Sequence, residues 1–283
     1  MKRILLIGLI VANTYGYYTR AQTAEQYCQT AEKLYENGDW QAAENVYTQA
    51  LTLQPTAAHY DAWLGRGASR IKMTYYRLAL ADFEQAIRLK PDRSEPLLCH
   101  AQAAFALRDY LTTIQDCTAA LQRNNTDDRA FYLRAQAKLE FGKINDALDD
   151  FSYALRLKPT AAGFSDRGYA KMTVGNWLSA TADFDYAIAI DSTFTAAYRN
   201  RATARLQTAD VAGAVADYSI VLQQHPDPDA YTARGQLYHQ LGDYKRAVRD
   251  FEAALKLNPY FVAAQVGFAK AEEARRLRDT KRL

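Results

Sequence analysis

Proline and glycine are scarce, at seven and thirteen in 283 residues. That is poor punctuation for a β-rich chain and suits helices joined by tight turns. Cysteine is scarcer still and odd in number: Cys28, Cys99 and Cys117. An exported protein held by disulfides shows a dense, even set, so helix packing must hold this fold. Cys99 and Cys117 are near enough in sequence to bridge neighbouring helices, although buried thiols are the simpler expectation. The four histidines, His59, His100, His225 and His239, form no metal-spaced pair with each other or with a cysteine. There is no glycine-rich phosphate loop and no Gly-x-Ser-x-Gly elbow. Asp149 and Asp150 are adjacent, but consecutive helix residues point apart. These absences predict no catalytic, cofactor or metal site, and a chain that is not an enzyme.

A long apolar run is also missing. The longest stretch of interest, Ile4 to Ala12, has nine residues and follows Met1-Lys2-Arg3. A membrane span needs about 20. Thr19-Arg20-Ala21 places small residues at the positions a signal peptidase reads ahead of Gln22. Residues 1–21 are therefore expected to be a cleaved signal peptide, giving a periplasmic or extracellular protein without a stable membrane span. The alternative is a chain tethered through an uncleaved N-terminal segment. The formal charge of +3 resides in this segment, because Lys2, Arg3 and Arg20 are its only charges. The remainder is neutral, which gives no electrostatic case for nucleic acid. The basic cluster of Arg275, Arg276, Arg278, Lys281 and Arg282 reads as a solvated helix end.

What the chain has is self-similarity. The pattern Ala-x3-aromatic-x2-Ala occurs as Ala43/Tyr47/Ala50, Ala79/Phe83/Ala86, Ala147/Phe151/Ala154, Ala180/Phe184/Ala187 and Ala247/Phe251/Ala254. Degraded copies stand at Thr113/Cys117/Ala120 and Ala214/Tyr218/Val221. Five residues on come Pro55, Pro91, Asn125, Pro159, Ser192, Pro226 and Pro259, at spacings of 36, 34, 34, 33, 34 and 33. Upstream runs a small column of Ala31, Gly67, Ala101, Ala135, Gly168, Ala202 and Gly235. Four residues before each stands a bulky one: Tyr27, Trp63, Leu97, Phe131, Phe164, Tyr198 and Tyr231. Between the two blocks lie turn signals such as Asn37-Gly38-Asp39 and Leu241-Gly242-Asp243. Apolar residues at i, i+4 and i+7 make one helical stripe. A left-handed residue ends the first helix, and proline stops the second. Each unit is a helix-turn-helix hairpin that cannot bury its face alone, so stacked copies share a core.

These columns together resemble the tetratricopeptide repeat family over about Ala24 to Pro259. The resemblance implies an all-α fold, a right-handed superhelix (solenoid) of seven helix pairs. The expected repeats are about 24–57, 60–93, 94–127, 128–160, 161–194, 195–227 and 228–259, followed at 260–283 by a capping helix and basic tail. The third repeat, with Thr113 and Cys117, is expected to pack loosely. The resemblance also implies that the first helix of each pair lines a concave face that holds a partner protein or peptide. Family members that clamp a terminal carboxylate use a fixed set of lysines and asparagines. The lysines are missing from the matching places here.

A line of charges exceeds the minimal pattern. Arg66, His100, Arg134, Arg167, Arg201 and Arg234 precede the small column, and Asp82, Asp116, Asp150, Asp183, Asp217 and Asp250 precede the aromatic one. The first repeat lacks both, having Thr30 and Val46, which favours pairing within a repeat and leaves pairing between neighbours open. Balanced charges beside core columns predict a structural role. The groove is expected to present Gln102, Arg129, Tyr132, Gln136, Tyr169, Arg199, Asn200, Thr203, Gln236 and His239. Such groups hydrogen-bond the main chain of an extended peptide. The function expected is an exported protein-binding scaffold. The alternative is a self-associating component of a cell-envelope assembly, a homo-oligomer.

Overall fold

The computed structural model describes residues 23–53 and 58–280. The expected signal peptide, Pro55, Lys281 and Arg282 lie outside the described residues. Among those described there are fifteen helices and no strand. The chain divides into two compact units, residues 1–125 and 126–283. In the first, α1 (Ala24–Glu36) and α2 (Trp40–Thr52) form one hairpin, α3 (Ala58–Lys72) and α4 (Tyr76–Leu89) the next, and α5 (Glu95–Ala106) and α6 (Tyr110–Arg123) the third. In the second, the hairpins are α7 (Asp128–Glu140) with α8 (Ile144–Leu157), α9 (Ala161–Thr173) with α10 (Trp177–Ile190), α11 (Thr195–Gln207) with α12 (Val211–Gln224), and α13 (Pro228–Gln240) with α14 (Tyr244–Leu257). A longer helix, α15 (Val262–Thr280), covers α14 and the end of α13, as expected of a cap. Among the described residues no helix is long and apolar enough to cross a membrane.

The hairpin turns follow one rule. The first helix closes with a backbone bond spanning five residues, from Asp39 N to Leu34 O at 2.9 Å in the first hairpin and from Asp243 N to Tyr238 O at 2.8 Å in the seventh. That closure puts one residue in the left-handed region. Gly38, Gly142, Gly175 and Gly242 hold it at φ between 73° and 85°. In the other three hairpins Thr74, Arg108 and Ala209 occupy it at φ 61° to 63°, although they carry a side chain. Asp109, Asp210 and Asp243 then cap the second helix by accepting from a backbone N–H three residues on.

Packing within a hairpin depends on the small column meeting the aromatic one. Phe83, Phe151 and Phe184 are fully buried and Phe251 nearly so. A Cβ on Gly67 would lie 2.5 Å from the Phe83 ring, and one on Gly168 2.8 Å from the Phe184 ring. Ala31, Ala101, Ala135 and Ala202 are equally buried. Burying each phenylalanine contributes about 1.5–3 kcal/mol. The third repeat does not pack loosely. Thr113, Cys117 and Ala120 are buried, and the Thr113 hydroxyl donates to Asp109 O at 2.8 Å. On its first helix Leu97, Leu98, Ala101, Ala103 and Ala104 are buried as well. No disulfide joins the three cysteines, which remain thiols.

The charge line pairs within repeats. Arg134 donates from Nε and Nη2 to both oxygens of Asp150, at 2.8 and 2.7 Å. Arg66–Asp82, Arg167–Asp183, Arg201–Asp217 and Arg234–Asp250 repeat that fork, and His100 Nδ1 lies 2.6 Å from Asp116. The five arginine-paired aspartates are almost fully buried. A second cation, one helical turn on, joins four of them: Arg70, Lys138, Lys171 and Arg205, at 2.7 to 2.8 Å. Each arginine also stacks 4.7 to 5.8 Å from the bulky residue three positions before it, Trp63, Phe131, Phe164, Tyr198 or Tyr231. The remaining guanidinium nitrogen reaches the preceding hairpin: Arg66 to Thr48, Arg167 to Ser152, Arg234 to Ser219 and Arg201 to Asp185. In four repeats one residue type thereby ties the hairpin internally and to the one before it. Burial opposes the charge of Arg201, but its bonds to Asp217 and Asp185 outweigh this and hold its pKa above the usual value.

Candidate functional site: the first-helix faces

Helix periodicity and the closed hairpins determine which residues face away from the second helices. In the second unit these residues separate into two groups. Some of those expected to line a groove are committed to the fold. Tyr132 on α7 donates from its hydroxyl to Asp166 on α9 at 2.5 Å, and Gln136 Nε2 donates to the same carboxylate at 3.1 Å and to the Tyr132 hydroxyl at 3.2 Å. Burial and that carboxylate push the Tyr132 hydroxyl pKa well up. The Tyr132 ring meets Phe151 edge-on at 5.8 Å. This cluster joins adjacent first helices. Arg129 folds back onto Asp127, the residue that caps its own helix, at 3.1 and 2.9 Å. Arg199 on α11 pairs with Asp227, the cap of α13. The guanidinium groups expected to meet a peptide thus secure helix starts.

The other group points outward. Tyr169 on α9 is half exposed, and Gln236 on α13 is exposed. Thr203 is exposed with its hydroxyl donating back to Arg199 O at 3.1 Å, and Asn200 beside it is half-buried. Gln236 and His239 come together on a cavity of about 330 Å³ between α13 and α15. Phe251, Ala263, Val266 and Gly267 form its apolar wall, and Lys270 stands at its edge. His239 also packs against Tyr244, ring centres 5.2 Å apart. In the first unit Gln102 is exposed on α5.

A second cavity, of about 610 Å³, lies within the first unit among α1, α2, α3 and α5. Its residues were missed by sequence reasoning, which looked for amide and guanidinium groups in later repeats. The signal is a column: Glu25, Asp61 and Glu95 occupy one register position of three successive first helices, 36 and 34 residues apart. Burial, with the carboxylates of Asp61, Glu25 and Glu32, pushes the Cys28 thiol there up to about 11. Among the described residues no group of three or more His, Cys, Asp or Glu is placed to hold a metal ion.

Known proteins place this architecture. Residues 28–70, 60–93 and 228–261 match tetratricopeptide repeat families. Tetratricopeptide repeat protein 6 of Homo sapiens is 28% identical over 197 residues, covering 66% of this chain and 38% of that protein. The chain thus spans well under half of that relative. Among solved structures, the C-terminal part of a repeat protein from Cytophaga hutchinsonii superposes with a TM-score of 0.71 at 17% identity, over 85% of this chain and 98% of that one. YrrB, described as a TPR protein with an unusual peptide-binding site, gives 0.57 at 18% identity over 65% of this chain and 95% of its own. With these matches, and the same fold in its structural neighbours, the chain carries tetratricopeptide repeats.

Proposed function

We propose that the chain is an exported binding scaffold that holds a segment of a partner protein against its first-helix faces. The observation that carries this reading is the outward group in the second unit. Tyr169, Gln236 and His239 offer an aromatic face, an amide and an imidazole beside an apolar cavity. That mixture suits the alternating side chains and main-chain groups of an extended peptide. YrrB, of the same fold, carries a peptide-binding site. The internal hydrogen bonds of Tyr132, Gln136, Arg129 and Arg199 stiffen the surface, which lowers the cost of ordering it on binding. Export rests on the basic start, the nine-residue apolar run and the small residues at Thr19 and Ala21. The location proposed is the periplasm or the cell exterior.

A photo-crosslinking residue in place of Tyr169 or Gln236 is expected to capture one and the same protein from an envelope extract. The same probe at Ile220, exposed on a second helix, is expected to capture none. Equal capture from all three positions would refute the groove. Intact mass of the expressed chain tests export: the expected product begins at Gln22, and an unprocessed chain would refute cleavage.

A further inference from the structure

We propose that the cavity in the first unit receives a lysine or arginine side chain from a basic peptide segment. The inference does not rest on the groove of the second unit. The cavity floor is apolar: Leu64, Gly65 and Ala68 from α3, and Tyr47 from α2. Its rim carries Glu25 and Glu32 from α1, Asp61 from α3 and Glu95 from α5. No lysine, arginine or histidine lines it, and none of the four carboxylates forms an ion pair among the described residues. This contrasts with the buried aspartates of the charge line, each of which is met by one or two cations. An apolar floor under an acidic rim matches a long basic side chain, whose methylenes lie on apolar surface while its charged head stays near water.

A second observation points to a ligand. Tyr47 is only 6% exposed, yet its hydroxyl, which faces the cavity, makes no hydrogen bond to any described residue. The ring is enclosed while the oxygen itself opens onto the cavity, where an occupant can bond it. Gly65 makes room for this hydroxyl, since a Cβ there would lie 2.5 Å from it. A phenol accepts from an ammonium or guanidinium and donates to a peptide carbonyl, so it serves either the side chain or the main chain of the segment. Inside the cavity burial raises the Cys28 thiol, and the carboxylates of Asp61, Glu25 and Glu32 raise it further. Because the rim carboxylates are exposed, attraction is screened by salt and the affinity is modest.

The test is fluorescence anisotropy of the full chain with a labelled peptide of alternating lysine and serine, beside its acetyl-lysine and glutamate counterparts. The lysine peptide is expected to bind, and to weaken about tenfold or more as NaCl rises from about 0.05 to about 0.5 M. Neither counterpart is expected to bind. The combined Glu25→Gln, Asp61→Asn, Glu95→Gln variant is expected to keep its helical circular dichroism and melting temperature while losing at least about tenfold in affinity. Tyr47→Phe keeps the ring and is expected to lose severalfold. Gln236→Ala with His239→Ala, in the other unit, is expected to leave this binding intact, which separates failure here from failure of the proposed groove. Sedimentation then distinguishes the source. A mass that rises with concentration, and falls back in the acid-neutral variant, assigns the segment to Arg275–Arg282 of a second copy. A constant monomer that binds the peptide assigns it to another protein. Equal binding of the lysine and glutamate peptides, or full affinity in the acid-neutral variant, would overturn the proposal.

Discussion

Replacing Asp150 by alanine tests the central claim about how the repeats are held. The carboxylate is 5% exposed and meets Arg134 through two nitrogens and Lys138 through a third contact, each at 2.7 to 2.8 Å. Removing it strands two cations of which each is about 15% exposed. Breaking a buried pair by deleting one partner costs roughly 3–5 kcal/mol. Lys138 is long enough to swing toward water, so the loss falls mainly on Arg134, fixed over the Phe131 ring. We expect a loss of about 3 kcal/mol, toward the lower end of that range. At roughly 2–4 °C per kcal/mol for a chain of this size, melting should drop by about 6–12 °C. Asp116→Ala is the internal control. Its carboxylate is 18% exposed and meets only His100, so the loss should be near 1 kcal/mol. Thermal and urea unfolding followed by helical circular dichroism would measure both. Asp150→Ala melting within a degree of the parent, or Asp116→Ala costing as much, would refute the reasoning.

Three further outcomes follow from the same geometry. Ala209→Gly should stabilise by about 1 kcal/mol in urea, because Ala209 sits at φ 61° where only glycine is unstrained; Gly175→Ala, at φ 76°, should lose a similar amount. Gly168→Ala should cost about 1–3 kcal/mol, since the added methyl would meet the fully buried Phe184 ring at 2.8 Å and the core must shift. Cys28, its thiol pushed up to about 11, should react with iodoacetamide at pH 8 roughly a hundredfold more slowly than in the urea-unfolded chain. The sign follows from the thiolate being disfavoured by burial and by carboxylates, so Asp61→Asn should speed the folded-state reaction.

The hairpins were legible because each column is one contact seen many times. A small residue at Gly168 and a ring at Phe184 make sense only if they touch, and six occurrences of that pairing remove coincidence. The primary arginine–aspartate pairs were legible for the same reason, helped by their joint loss in the first repeat. The second cation that joins four of these pairs was not. Lys138 and Lys171 look like ordinary lysines on an exposed helix, and only coordinates show their ammonium groups turned onto Asp150 and Asp183. Nor were two ring pairs: Tyr153 and Tyr186 stack on Phe131 and Phe164 at 5.3 and 5.2 Å. The expectation of a loose third repeat failed because Thr113, Cys117 and Ala120 are as enclosed as the alanines and rings they replace.

The groove was harder to read for a physical reason. In the function proposed above, a first-helix face both docks on the next first helix and meets a ligand, and polar residues serve either end. Tyr132, Gln136 and Asp166 have the chemistry of a binding strip and act as a bond between helices. What separates the two uses is variation along the array. Every hairpin poses the same packing problem, so structural columns repeat the same solution from copy to copy, as the arginines and phenylalanines do. A bound segment is not periodic, and the positions that touch it are free to differ between repeats. The register position that carries Glu25, Asp61 and Glu95 in the first three repeats carries Arg129 in the fourth and Ala162 in the fifth. A packing contact does not tolerate such a change of sign and size; an exposed face does, and so does the pocket proposed above for a basic side chain.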